Sequence, residues 1–483
     1  MVGPDYQRPR TVAAAQFSEP PPAGWAQAAP ADAQPKGDWW KAFQDPLLDE
    51  LEPQVAISNQ TVRQSYANYL QAVAEVKVAR SQLFPVVGVS GSVTRSGGPG
   101  YATSTGSTAK GTTGAHAGPV NAGTLEGTAS WTVDLWGQVR RLIEENTAIA
   151  QADEATLANA TLSAQVLLAT TLIELRFADA SIDLQARTVS AYEEALRVTK
   201  AQGAAGITAA PPSAVITAQV QLENAQATLI GLGVARAQYA HAIAVLVGRN
   251  PEDLVIPAGT RLPTLPEVPV GIPSTLLERR PDIAAAERTM RAGNAAIGVA
   301  VAAYYPTLSL SAAAGFTQSP LDGLLHTANR VWSLGASGSD TLLDVGGRRG
   351  QVQAARAAYE AAVASYRNTV LTAFQNVEND LSGLRILGEQ AAALDTAVRD
   401  ATRGSAIALA EFQAGTVDYT TVAQALATQL QDQQTALSVQ QSRLEDAVAL
   451  IGDLGGGWSA AELHDPSHPQ RLPADPSVSA AGR

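Results

Sequence analysis

Residues able to do chemistry are sparse in this chain, and they are scattered. Its five histidines, His116, His241, His326, His464 and His468, form no cluster with carboxylates at metal-ligand spacing. His464 and His468 stand four apart, but Pro466 lies between them in a polar, Pro-rich tail. Cysteine is absent, which excludes a disulfide framework and thiol chemistry. No phosphate-cradling glycine motif or nucleophile elbow occurs, and Gly346-Gly347-Arg348-Arg349-Gly350 reads as a strand-to-helix turn. The sequence therefore predicts no enzyme, no cofactor and no metal site. What remains is a carboxylate at a turn, Asp418, with Tyr419 after it and Phe412 nearby. Aspartate is a favoured N-cap, so capping of the helix that follows is one reading of Asp418.

Composition narrows the class. Charged residues make up 16% and aromatic residues 5% of the 483, while alanine and glycine are abundant, so long and closely packed helices are expected. A net charge of −12 and the lack of a basic stripe argue against a nucleic-acid partner. No uninterrupted apolar run reaches the roughly 18 to 20 residues of a spanning helix. The best, residues 166–175, ends at Glu174 and Arg176. No signal peptide is present, and the chain reads as a mature form whose leader has been removed.

The chain says nearly the same thing twice. Leu83-Phe84-Pro85-Val86-Val87-Gly88-Val89-Ser90 returns as Tyr304-Tyr305-Pro306-Thr307-Leu308-Ser309-Leu310-Ser311, about 210 residues later. Asp134-Leu135-Trp136-Gly137 returns as Asp344-Val345-Gly346-Gly347, again about 210 residues on. Each copy reads helix, strand, strand, long helix, turn, helix, which predicts a pseudo-symmetric architecture built on an internal two-fold repeat. Residues 137–202 and 348–413 contain no proline and should form helices roughly 100 Å long at ~1.5 Å per residue. Each ends in a short turn, around Gly206 in the first copy and Gly415 in the second, and doubles back. Pro212 suits the first position of one return helix.

Four short segments alternate with period two, about 85–97, 123–136, 307–318 and 331–344. In the third, Leu308, Leu310, Ala312, Ala314 and Phe316 alternate with Thr307, Ser309, Ser311, Ala313 and Gly315. In the second, Leu125, Gly127, Ala129, Trp131, Val133 and Leu135 alternate with Thr124, Glu126, Thr128, Ser130, Thr132 and Asp134. Such alternation predicts a sheet with one apolar and one polar face, and each segment has about the 9 to 11 residues of a tilted membrane strand. Trp131, Val133, Leu308, Leu310 and Phe316 are expected to face lipid. Strands cannot leave edges unpaired in lipid, and four are too few to close a barrel, so several chains must share one. Strand arithmetic leaves two, three or four chains open. Asp340 falls on the apolar side of the last segment and fits it poorly.

At residues 271–300 the sequence resembles a known family. Gly271-Ile272-Pro273-Ser274-Thr275-Leu276-Leu277-Glu278-Arg279-Arg280-Pro281-Asp282-Ile283, continued by Ala286-Glu287-Arg288 and Asn294-Ala295-Ala296-Ile297-Gly298, is similar to the linker signature of outer-membrane efflux factors. These are the TolC-like proteins, and the opening Val2-Gly3-Pro4-Asp5-Tyr6 resembles the mature start of their NodT-type lipoprotein branch. Asp38-Trp39-Trp40, Phe43 and Asp45-Pro46-Leu47 match as well. The resemblance implies a homotrimer whose twelve-stranded barrel sits in the outer membrane, above an α-barrel tunnel with a mixed equatorial belt. It implies a periplasmic adaptor and an inner-membrane transporter as partners, and a lipid-bearing cysteine just before the mature start, which this sequence lacks. It also places an acidic and apolar constriction at the second helix turn, so Asp418, Tyr419 and Phe412 are candidates for a periplasmic gate, and the turns at Gly206 and Gly415 for adaptor contact. Within the signature, Pro281 suits a first helical position with Asp282 against the positive helix end, and Arg279 and Arg280 read as capping or solvated rather than docking.

These readings divide the chain into an extended N-terminal segment (1–45), a first repeat (46–250), a linker (251–273), a second repeat (274–453) and a tail (454–483) in or near the equatorial belt. The expected function is a passive exit duct for drugs or other small toxic compounds in a tripartite efflux pump. A duct for metal ions or secreted polypeptide is the alternative within transport, and a coiled-coil structural or adhesin protein the alternative outside it.

Overall fold

The computed structural model describes residues 1–9, 17–19, 37–97, 119–205, 212–266, 279–319 and 321–469. Seven α-helices and four strands are traced among them: α1 (Pro46–Ser58), α2 (Gln60–Ser81), β1 (Val86–Ser96), β2 (Val120–Val133), α3 (Gln138–Ala204), α4 (Pro212–Leu246), α5 (Pro281–Ala302), β3 (Thr307–Gln318), β4 (Arg330–Ser339), α6 (Gly347–Gln413) and α7 (Tyr419–Asp453). Helices α2 and α5 each have 22 residues, α3 and α6 each 67, and α4 and α7 each 35. Pro212 and Pro281 stand first in their helices, where a missing N–H costs nothing. Gly206, the loop at 98–118, the signature at 271–278 and the tail beyond 469 lie outside the described residues.

The chain divides into two compact units. The first, Met1–Arg8 with Gln71–Ala150 and Thr289–Val363, holds the sheet. Its strands run in the order β1-β2-β3-β4, all antiparallel. Two similar turns lead from strand to helix. Asp134 accepts from the Val139 and Arg140 N–H groups at 3.2 and 3.1 Å and from Arg140 Nε at 3.0 Å. Asp344 accepts from the Gly346 and Arg348 N–H groups at 3.1 and 2.9 Å and from Arg348 Nε at 2.9 Å. The final strand stops at Ser339, short of the expected 344, because the chain curls so that Asp340 and Asp344 both bind Arg348. The misfit of Asp340 to the alternation is thereby resolved: it belongs to the turn.

The N-terminal residues strap onto this unit. Arg141, 2% exposed, donates to the carbonyl of Val2 at 3.2 Å, to Asp5 at 2.7 Å and to Glu144 at 2.8 Å. A buried guanidinium is tolerable only with such compensation.

The second unit, Pro9–Leu70 with Gln151–Arg288 and Ala364–Arg483, is helical. Its N-terminal part is not extended throughout: Trp39–Phe43 form a 3-10 turn that buries Trp39, Trp40 and Phe43. Asp45 caps α1 through the Leu47 and Leu48 N–H groups and also binds Arg176 Nε at 3.2 Å. Arg176 reaches the Pro257 carbonyl at 3.3 Å, while Asp179 takes Arg236 at 2.6 Å and the Gly259 N–H at 2.8 Å. These bonds lay the strap that follows α4 back across α3 and α4, where buried Ile256 adds apolar packing to the charged ties. Helices α3 and α4 each hold an 18-residue window of mean hydropathy 1.4, which uninterrupted apolar runs did not reveal because alanine, glycine and threonine interleave the large residues. Only 11% of the α4 window is buried within the chain, and Ile216, Val220, Ile230 and Val234 are left exposed.

Candidate functional site: a helical tip and a two-faced sheet

The turn between α6 and α7 closes with two glycine-type capping bonds. The Gly415 N–H donates to the Phe412 carbonyl at 2.9 Å and the Thr416 N–H to the Glu411 carbonyl at 3.0 Å. This is a Schellman cap, which needs a left-handed residue, and Gly415 sits at φ +77°. Three residues later Asp418 starts α7 as its N-cap. Its Oδ1 accepts from the Thr421 N–H at 3.0 Å and from Thr421 Oγ1 at 2.8 Å. The hydroxyl bond first, then the backbone bond, holds its carboxyl below the usual range, so it stays ionised on an exposed tip.

Tyr419 and Phe412 behave differently. Phe412 is 0% and Tyr419 2% exposed, and the rings meet edge-on at 6.1 Å. They pack into a core formed with Val189, Tyr192 and Leu196 of α3 and Ala218 and Leu222 of α4. Gln202 Nε2 donates to the Phe412 carbonyl at 2.7 Å and ties the end of α3 to the end of α6. The Tyr419 hydroxyl is buried with no partner among the described residues. Burial, with Tyr192 second, pushes it up to about 12. Of the three gate candidates, then, the structure leaves Asp418 at the surface and seats the two rings inside the helix pack. An apolar ring next to a turn gains more by filling the gap between two helix pairs than by standing in water. Gln202 and Tyr192 went unnoticed in the sequence because nothing local marks them; their partners lie roughly 210 to 230 residues away.

In the sheet unit, directly opposed residues share a face. Val133 pairs with Leu308, Trp131 with Leu310, Ala129 with Ala312 and Leu125 with Phe316. On β4, Gly338, Ala336 and Leu334 continue the first three rows and Arg330 the last, Trp332 and Val89 extend the row of Gly127 and Ala314 that lies between, and Val87 continues the Ala129 row on β1. The five residues expected on the apolar face, Trp131, Val133, Leu308, Leu310 and Phe316, therefore share one face. The intervening rows hold Thr132, Ser309 and Ser337, then Ser130, Ser311 and Gly335, then Thr128, Ala313 and Ser333. Thr132 and Ser309 touch across the polar face at 3.5 Å. Among the described residues, β1 and β4 each pair on one side only, and every residue of β4 is exposed.

No group of three or more metal-ligating side chains occurs among the described residues. His464 instead anchors the start of the tail, its Nδ1 lying 2.6 Å from Glu154 Oε1.

Comparison with known proteins matches the outer membrane efflux protein family over residues 51–249 and 272–456. A probable efflux pump outer membrane protein of Pseudomonas putida, TtgC, is 28% identical over 456 residues, 94% of this chain and 92% of that protein. Nodulation protein T of Rhizobium leguminosarum bv. trifolii is 29% identical over 460 residues, covering 93% of this chain and 91% of that protein. Among solved structures, the outer-membrane channel OprN superposes with a TM-score of 0.85 at 29% identity, over 95% of this chain and 99% of that one.

Proposed function

The chain belongs to the outer membrane efflux protein family, and from that premise we propose how it works. It is an outer-membrane efflux channel, a passive exit duct, and its action is conduction rather than chemistry. Three copies share one barrel of twelve strands, and the paired long helices of each copy form the wall of a tunnel beneath it. A periplasmic adaptor and an inner-membrane transporter feed the duct with drugs or other small toxic compounds, and the transporter supplies the energy.

The observation that carries this reading is the four-stranded sheet, whose two edges are open among the described residues and whose one face is apolar up to Arg95, Asn121, Gln318 and Arg330 at one end. Open edges are untenable in lipid, so β4 of one copy pairs with β1 of the next. The apolar rows then face the bilayer and the hydroxyl rows face water. The uncovered apolar face of α4 supports the same assembly, since a second copy would cover it. The matched lengths of α2 and α5, α3 and α6, and α4 and α7 support an internal duplication, with repeats near 46–250 and 274–453 joined by a linker. At the tip, threefold symmetry sets three Asp418 carboxylates around one axis as a cation-attracting ring, with the turns at Gly206 and Gly415 as the adaptor's contact points. The N-terminal strap ends beside Trp136, whose carbonyl takes the Val2 N–H at 3.0 Å. A lipid anchor there would reach the same bilayer as the sheet. Mass measurement of the detergent-extracted protein together with planar-bilayer recording tests the reading: a trimer with discrete, ungated-by-ATP conductance is expected. A stable folded monomer, or no conductance, would overturn it.

A further inference from the structure

Groups that the exit-duct reading does not use meet on the seam between α6 and α7. Asp380 lies midway along α6, and Asp446 and Asp453 lie seven residues apart on one face of α7. Among the described residues, the cation bound to Asp453 is Arg280, just before α5, and it is committed. Its Nε and Nη2 hold Asp282 at 3.0 and 2.7 Å, and its Nη1 holds Asp453 Oδ1 at 2.6 Å and the Asp453 carbonyl at 2.9 Å. Asn376, one turn before Asp380, donates to the same Asp453 oxygen at 3.4 Å. Asp380 receives no such donor. Its Oδ2 is buried without a hydrogen-bond partner, and the polar group facing it is the carboxyl of Asp453. Asp446 lies against the α6 backbone at Gly383, where a Cβ would stand 2.3 Å from its Oδ2 and push the carboxyl aside. Glu445 lies beside Asp446, so α7 offers three carboxylates to the seam and α6 one, against Arg280 and, one turn before Asp446, Arg443, whose guanidinium approaches Gly388 of α6.

Two carboxyls that face each other with no donor between them are stable together only when one of them keeps a proton and donates it to the other. We propose that Asp380 keeps its proton and donates it to Asp453, and that holding or losing it sets how firmly α6 and α7 are clasped at this level. Removing the proton sets a negative Asp380, its Oδ2 buried, against the part-buried Asp453, with one arginine that already serves Asp282. The seam then loosens. Burial first, then the facing Asp453, raises Asp380 to about 8, and burial with Glu445 raises Asp446 to about 6. Both shifts are upward from 3.8, so the native seam binds more protons than the unfolded chain. Its stability is fully present below about pH 4 and is lost as the pH climbs through about 8. The clasp therefore weakens steadily from acid through neutral medium and is loosest above about pH 8. The inference concerns one helix pair and stands apart from the exit-duct reading.

Hydrogen exchange on the full-length protein in lipid nanodiscs tests it. Protection is measured for amides of residues 376–387 and 444–453 between pH 5 and 9, with intrinsic exchange divided out. In the wild type, protection should fall toward high pH by up to about tenfold per pH unit, the limit for one proton. Asp380→Asn supplies a permanent donor to Asp453 and should stay protected and flat across the range. Asp446→Asn should keep the alkaline fall. A wild-type profile that does not change with pH, or the same fall in Asp380→Asn, overturns the proposal. Should Asp380→Asn not fold, Asp453→Asn donates from the other side of the pair, and an unflattened profile there overturns it equally.

Discussion

Two adjacent alanines in the middle of β3 separate the faces of the sheet without changing anything else. Strand β3 has 12 residues, so at ~3.3 Å each it is about 40 Å long, and a tilt of ~45° gives it a height of about 28 Å. That is close to the ~30 Å hydrocarbon layer, and Ala312 and Ala313, sixth and seventh of the twelve, fall near its midplane. Ala312 lies in the apolar row with Ala129 and Leu334, and Ala313 in the polar row with Thr128 and Ser333. Ala312→Arg should therefore cost about 2–4 kcal/mol per chain, or about 6–12 kcal/mol for three chains unfolding together. Ala313→Arg adds the same side chain toward water. It should cost much less stability and should instead lower single-channel conductance and shift selectivity toward anions. Denaturant unfolding in lipid and planar-bilayer recording read the two effects. Equal stability losses would refute the assignment of faces, and a larger loss at Ala313 would reverse it.

At the tip, Phe412→Ala removes a fully buried ring and should destabilise the protein by about 3–5 kcal/mol, seen as a lower thermal midpoint; a loss under about 1 kcal/mol would mean the α3/α4 packing around it is not formed. Asp418→Ala should weaken cation selectivity and block by multivalent cations in reconstituted channels, whereas unchanged selectivity with a less protected start of α7 would leave the residue as a cap alone. Glu52 is 0% exposed, both of its carboxyl oxygens lack partners among the described residues, and burial pushes it up to about 9. This shift is upward, so its contribution to stability declines as pH rises from about 4.5 through about 9. Glu52→Leu should add about 1–3 kcal/mol at neutral pH and flatten that part of the pH profile; a destabilised variant would show that the carboxyl has a partner in the assembled protein.

Much of this fold was legible from local pattern, because the features concerned are local. The absence of proline over 137–202 and 348–413 leaves a helix as the cheapest way to satisfy every backbone group, and α3 and α6 cover those stretches. Period-two alternation over 307–318 returned β3 to the residue, and Pro212, Pro281 and Asp418 took the helix-start positions their chemistry favours. The end of β4 was missed, since one arginine reaching back to Asp340 and Asp344 overrode the alternation. Tertiary structure alone decided the rest. It turned Phe412 and Tyr419 inward, because whether an aromatic ring beside a turn is exposed depends on a helix pair about 200 residues earlier in the chain. It aligned the apolar rows of four strands, since a one-residue slip in any register would have exchanged the faces. It also set Asp380 against Asp453, a charge arrangement no sequence window contains: pattern reports what each residue prefers, and only the folded chain determines which distant group it must share a proton, a hydrogen bond or a core with.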